Sequence, residues 1–174
     1  MKALSIRQPW LWAILHANKR LENRDWPGCS YRGPVLLHAS KSVGTLEEFG
    51  DAVHALECNS CPGPVPLRRW NEFCRDMIQV RGDGRFGWRP APALLRGGIV
   101  GRARIVGVIR DERDLAAYAA NTPGGEAQRA WWWAGGFALV LADVEPLPFV
   151  PWRGSLGLFD VPEEAFQLPG RRVS

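Results

Sequence analysis

Lysine is scarce in this chain of 174 residues: three lysines stand against nineteen arginines. Cationic chemistry therefore falls to arginine, whose planar fork suits phosphate and stacks on bases. A genome-wide composition bias gives the same excess. No apolar run approaches the ~20 residues that a membrane helix needs. The first stretch, MKALSIRQPWLWAIL, is interrupted by Arg7, Gln8 and Pro9, and no small-residue cleavage site follows it. It does not read as a secretory signal. The expectation is a soluble, cytoplasmic protein with no membrane partner. Cysteine is limited to four residues, and a reducing cytosol disfavours a Cys58–Cys61 disulfide.

What is present fits one folded unit. The length suits a single domain with an elaboration, and a hydrophobic content of 46% supports a core. Nine tryptophans are many for this length. Most are expected in the core, since each carries a large apolar area, although tryptophan also serves as a stacking platform. The net charge is +4, and it is unevenly distributed. Residues 1–41 hold Lys2, Arg7, Lys19, Arg20, Arg24, Arg32 and Lys41 against Glu22 and Asp25, while the rest of the chain is nearly neutral. An electropositive surface for an anionic partner is one reading. A solvated face is the other.

Along the chain, Lys2–Ile6 reads as a strand. Pro9 sits where first helical turns accept proline, and Trp10, Leu11, Ile14 and Leu15 recur at helical spacing, predicting a helix over 9–17. Asn18 stands where a left-handed capping residue belongs. Arg20–Trp26 is expected as an extended arm and Pro34–Ala39 as an apolar strand. Residues 45–80 look helical in two pieces, with stripes Leu46, Phe49, Val53, Leu56 and Leu67, Trp70, Phe73, Cys74, Met77. Residues 81–96 carry no period and read as a loop. Further strands are expected at Gly98–Arg110, Gly136–Ala142, Leu147–Val150 and Ser155–Val161, with a short helix at Asp111–Ala120 and a frayed polar tail from Gln167. Alternation in Trp131-Trp132-Trp133 would turn Trp132 away from its neighbours. One face of that run is then core, and the other is free to roof a cleft. Five or six strands with short helices between them suggest a closed or nearly closed small barrel of α+β class.

The stretch LSIRQPWLWAIL-HANKRLENRDW, followed by YRGPVLLHAS, resembles the start of an ASCH domain, a family of the PUA-like β-barrel superfamily. That family shows a strand, a Gln-Pro-Trp helix, a Gly-x-Lys-x-x-Glu-x-Arg stretch, then Arg-Gly and an apolar strand. Here the central stretch is Asn18 to Arg24, with the Lys, Glu and Arg spacings kept. GGIVGRARIVGVI and GGFALVLADVEPLPFVPWRGSLGLFDVP resemble the family's later strands. The resemblance covers roughly residues 2–43 and 97–162 and implies one domain over 1–174. Residues 44–96 then form a helical and loop insertion in a PUA-like small mixed barrel.

The resemblance implies a cleft lined by Lys19, Glu22 and Arg24, with Trp10 or Trp26 placed to stack a base. On an extended arm Glu22 and Arg24 share a side. Two cations beside one carboxylate can hold a phosphate or the polar edge of a base. A structural salt-bridge trio is the bland alternative. His38, Ser40 and Lys41, at the end of PVLLHAS, are further ligand-binding candidates. The expected function is binding of RNA or another single-stranded nucleic acid, including recognition of a base or modified nucleoside.

The alternative is a hydrolase acting on RNA or on an acylated nucleoside such as N4-acetylcytidine, with Lys19 and Glu22 as catalytic residues. The acyl-removing subgroup of the family carries Thr three residues after the Lys. Here Glu22 takes that place, so a Lys-activated Thr is absent, and Glu22 would have to activate a water. Glu112 and Glu126 are candidates for a more distant acid. A second alternative is an interaction domain with no nucleic-acid ligand. No cofactor is required by these readings. His54, Cys58, Cys61 and Cys74 nevertheless have the spacing of a four-ligand structural zinc site within the insertion, and Cys74 fits equally well as core.

Overall fold

The computed structural model describes residues 1–25, 29–57, 78–80, 86–88, 94–162 and 164. In chain order these form β1 (Lys2–Gln8), α1 (Trp10–His16), β2 (Leu21–Arg24), β3 (Gly33–Val43), α2 (Leu46–Glu57), β4 (Ile78–Val80) and β5 (Phe86–Trp88). There follow β6 (Gly98–Ile109), α3 (Glu112–Asn121), α4 (Gly125–Trp132), β7 (Phe137–Pro151) and β8 (Leu158–Asp160). Six strands make one curled half-barrel sheet in the order β2-β7-β6-β3-β1-β8, and β4 and β5 pair separately. Within the larger sheet β1 and β3 run parallel, and the other ladders are antiparallel. The class is mixed α+β, as the alternation of short strands and short helices suggests.

The half-barrel is held by apolar residues at every second strand position. Leu4, Ile6, Val35, Leu37, Ile105, Leu139 and Leu141 face one another and enclose Leu11 and Ile14 of α1. The alternate residues Leu21, Ile109, Ala138 and Val140 pack with Leu115 of α3 and Trp132 of α4. Ala3, Leu36 and Ile99 are covered by Leu147, Trp152 and Phe159. α1 ends as the sequence suggests. Lys19 N–H returns to the Ala13 carbonyl at 3.1 Å, and Asn18 adopts φ 57°, a conformation Asn tolerates better than most residues. Asp111 caps α3 by accepting from the Arg113 and Asp114 N–H groups, both at 2.9 Å.

Three expectations change. Residues 78–80 and 86–88 are short strands rather than helix end and loop, too brief to show a period. The Trp131–Trp133 run is not extended, because α4 carries it up to Trp132. The segments 136–142 and 147–150 belong to one strand of 15 residues, with Asp143 at φ 51° within it. The second helical stripe, Leu67 to Met77, lies outside the described residues, as do Trp26 and the tail from Gln167.

The sheet stops short of closing. β8 covers β1 only from Lys2 to Leu4, and β2 has a neighbour on one side alone. Between Ser5–Gln8 and Leu21–Arg24 no ladder forms. Arg24 Nη2 crosses this seam instead, donating to the Ser5 carbonyl at 2.7 Å.

Candidate functional site

A cleft of about 1070 Å³ opens along this seam. β2 supplies Glu22, Asn23 and Arg24, β1 supplies Ser5 and Arg7, and α1 supplies Trp10. α2 contributes Glu48, Asp51 and His54, while Trp131, Trp132 and Trp133 come from the end of α4. Ser155, Leu156 and Gly157, just before β8, complete the wall.

Lys19, Glu22 and Arg24 converge. Lys19 is 1% exposed and Glu22 6%. Lys19 Nζ donates to the Leu21 carbonyl and lies 3.2 Å from Glu22 Oε2. Arg24 Nη2 reaches the other oxygen, Oε1, at 3.1 Å. The ammonium also lies over the Trp10 ring, 5.8 Å from its centroid, within range of cation–π attraction. Burial pulls Lys19 below the ordinary lysine range. Glu22 opposes that by attraction and hydrogen bonding, and the Arg24 charge adds to the lowering.

A second knot closes the other wall. Glu48 Oε1 accepts from Trp10 Nε1 at 3.0 Å and from Arg7 Nη2 at 2.8 Å. Thr45 N–H donates to Glu48 Oε2 at 2.7 Å, and Glu48 N–H returns to Thr45 Oγ1 at 3.2 Å. This reciprocal pair is a capping box at the start of α2. Burial pushes the Glu48 carboxyl up, but the bonds from Trp10 and Thr45 and the Arg7 charge outweigh it and hold the group below its ordinary range.

Several basic residues of the first segment meet carboxylates or carbonyls in the fold. The cleft's cations, Arg7, Lys19 and Arg24, stand beside Glu22, Asp25, Glu48 and Asp51. Lys2 is paired with Asp160 at 2.9 Å. Arg20 Nη1 donates to the Ile14 and Lys19 carbonyls, each at 3.1 Å. Folding brings Glu48 of α2 to Arg7 and Asp160 of β8 to Lys2, while Lys19 and Arg24 meet Glu22 of their own segment.

The structure gathers Trp10, Lys19, Glu22, Arg24 and Ser40 on the cleft wall, and His54 at its α2 side. Lys41 is exposed and lies against Gly97, outside the cleft lining. His38 is buried behind it, its Nδ1 2.9 Å from Ser5 Oγ and its Nε2 3.0 Å from the Trp152 carbonyl. Burial lowers the His38 pKa, and its bond to Trp152 opposes this. Glu112 and Glu126 are exposed on α3 and α4, away from the cleft.

Among the described residues no three of His, Cys, Asp and Glu come together as a metal site. His54 stands edge-on to Trp131, with centroids 5.7 Å apart. Cys58, Cys61 and Cys74 lie outside the described residues.

Sequence reasoning missed Arg7, Glu48, Asp51 and Ser5. For Glu48 a signal exists in Thr45-Leu46-Glu47-Glu48, the spacing of a capping box. For Ser5 none exists before the strand register is known. Two buried donors lack a partner among the described residues, Arg24 Nε and Trp132 Nε1. An N–H left so costs about 1–3 kcal/mol, so both are notable beside a cleft.

The family model for the ASCH domain covers residues 4–145, from β1 into β7. No curated protein matches the chain.

Proposed function

Because the chain belongs to the ASCH domain family, we propose that it binds RNA by taking one unstacked base, or a modified nucleoside, into the seam cleft. The observation that carries this reading is the buried Lys19–Glu22–Arg24 trio. Burying ionised groups costs several kcal/mol each in desolvation, and apolar side chains of similar volume often serve stability as well or better. A trio kept at a cleft wall is better explained by what it recognises. Glu22 can accept from an exocyclic amino group, and the cations can donate to ring or carbonyl acceptors. Trp10, Trp131 and Trp133 supply aromatic surface for stacking.

The charge balance supports a base over a run of phosphates. Among the described residues each cation of the cleft, Arg7, Lys19 and Arg24, has a carboxylate partner, so few counterions are released on binding. Titration of cytidine, N4-acetylcytidine and short single-stranded RNAs, followed by tryptophan fluorescence, tests this. Binding should depend on base identity and fall ~10-fold or more in Arg24→Ala. Each phosphate neutralised adds about −0.7 to the log–log salt slope, so the slope should stay shallower than about −2. Absence of binding to all three ligands, or steep salt dependence without base preference, overturns the reading.

Hydrolysis driven by Lys19 and Glu22 has less support. Both Glu22 oxygens are engaged by cations, which leaves the carboxylate poorly suited to take a proton from water.

A further inference from the structure

The parallel register of β1 with β3 sets Ser5 directly opposite His38. Ser5 is half-buried and lines the cleft, and its Oγ lies 2.9 Å from His38 Nδ1. The other ring nitrogen, Nε2, lies 3.0 Å from the Trp152 carbonyl. A carbonyl only accepts, so Nε2 carries the ring hydrogen. Nδ1 is then bare and accepts from the Ser5 hydroxyl. An edge-on contact with Phe159, centroids 5.7 Å apart, further fixes the ring. Hydroxyl, imidazole base and orienting acceptor thus stand in the order that activates a serine. Arg24 Nη2 donates to the Ser5 carbonyl and places a guanidinium against the same residue.

The geometry points to Ser5 as an acyl-transfer nucleophile with His38 as its general base, acting on a carboxylic ester or acylated amine that enters the cleft. Ser5 Oγ forms a bond to the acyl carbon while its proton passes to His38 Nδ1. The bond from that carbon to the leaving oxygen or nitrogen breaks, and the leaving group takes the proton from His38. Water then attacks the acyl-serine, again giving a proton to His38, and the carboxylic acid departs as Ser5 recovers its hydrogen. Burial keeps the imidazole in its neutral, basic form.

Gly154 belongs to this arrangement. A Cβ added there would stand 2.7 Å from Ser5 Oγ and 2.3 Å from His38 Cε1, and real Cβ atoms do not approach so closely. Glycine at 154 leaves the hydroxyl and ring in register, and a methyl would displace them. The assignment does not depend on nucleic-acid binding, and its test uses no nucleic acid.

The full-length chain is treated with a fluorophosphonate, which phosphonylates activated serines, and the adduct is located by peptide mass spectrometry. Hydrolysis of p-nitrophenyl acetate is followed in parallel. The expected adduct is on Ser5, and both signals vanish in Ser5→Ala, which removes one oxygen and keeps the fold by circular dichroism. His38→Asn and Gly154→Ala lower the labelling rate by ~10²-fold or more. Failure of the folded wild type to label at a concentration that saturates a control serine hydrolase overturns the assignment. So does an adduct on another serine, or turnover that persists in Ser5→Ala. These outcomes leave the binding reading untouched, since Arg24→Ala tests that separately.

Discussion

At the scale of single residues, Lys19 and Glu22 are not equivalent. Lys19 is fully enclosed, and burial already weakens its hold on a proton. Among the described residues Glu22 is the only carboxylate paired with it, and it also meets Arg24. Glu22→Gln leaves two cations without their counter-charge and should destabilise by ~3 kcal/mol or more in urea denaturation. Lys19→Met removes a desolvated charge while Glu22 keeps Arg24, so its cost should be clearly smaller. A Lys19→Met cost equal to or above that of Glu22→Gln would contradict this account. The pH dependence has a definite sign. The folded pKa of Lys19 is below its unfolded value, so between the two the unfolded chain binds a proton that the folded chain has released. Stability from this group therefore rises with pH up to the unfolded value of 10.5. The wild type should gain on Lys19→Met as pH is raised through that window, in matched urea titrations.

At the scale of elements, Glu48 links α2 to both β1 and α1. Glu48 caps its own helix through Thr45 and holds Arg7 of β1 and Trp10 of α1. Glu48→Gln should cost about 1 kcal/mol or less at pH 7, since the ion pair is partly open to solvent. The carboxyl has a folded pKa below its ordinary value of 4.5. Its contribution is present above that value and is lost as pH falls through the folded one. Melting temperatures of wild type and variant should therefore converge as pH falls through that lowered value, and a gap unchanged at low pH would show that charge is not the cause.

Such elements also mark how much was legible in the sequence. α1, its Asn18 terminus, α3 with its Asp111 cap, and the apolar strands declare themselves by period or by capping chemistry. The family resemblance carried by Lys19, Glu22 and Arg24 implied the wall of a cleft. The opposing wall did not declare itself, because Glu48, Asp51 and the α4 tryptophans arrive from 24 to over 100 residues away. α4 was hidden because three consecutive tryptophans suit a strand by propensity, while Gly124 at φ 74° opens a helix just before them. His38 was read as a pocket residue. It lies buried just behind the cleft lining, with its ring nitrogens toward Ser5 and the Trp152 carbonyl.

At the scale of the whole molecule, the site exists because the barrel does not close. A complete barrel has no free edges. This sheet leaves two, and the cleft opens where they face each other. Strand-to-strand bonds are replaced there by one guanidinium reaching from Arg24 to the Ser5 carbonyl, supported by the Glu22 carboxylate. β2 has four residues and one ladder, to β7, so local opening at the seam needs few bonds to break. The central strands β3, β6 and β7 are paired over long stretches and should open only with the whole fold. Removal of the bridge should therefore act locally. In Arg24→Met, amide hydrogen exchange should accelerate across Ser5–Gln8 and Leu21–Arg24, while Val35–Ala39 and Leu139–Leu141 keep wild-type protection. The same experiment separates two views of the trio. If Arg24 serves only the global fold, protection falls throughout the sheet in proportion to lost stability. If it is a latch across an open seam, the change stays confined to the two edges that line the cleft.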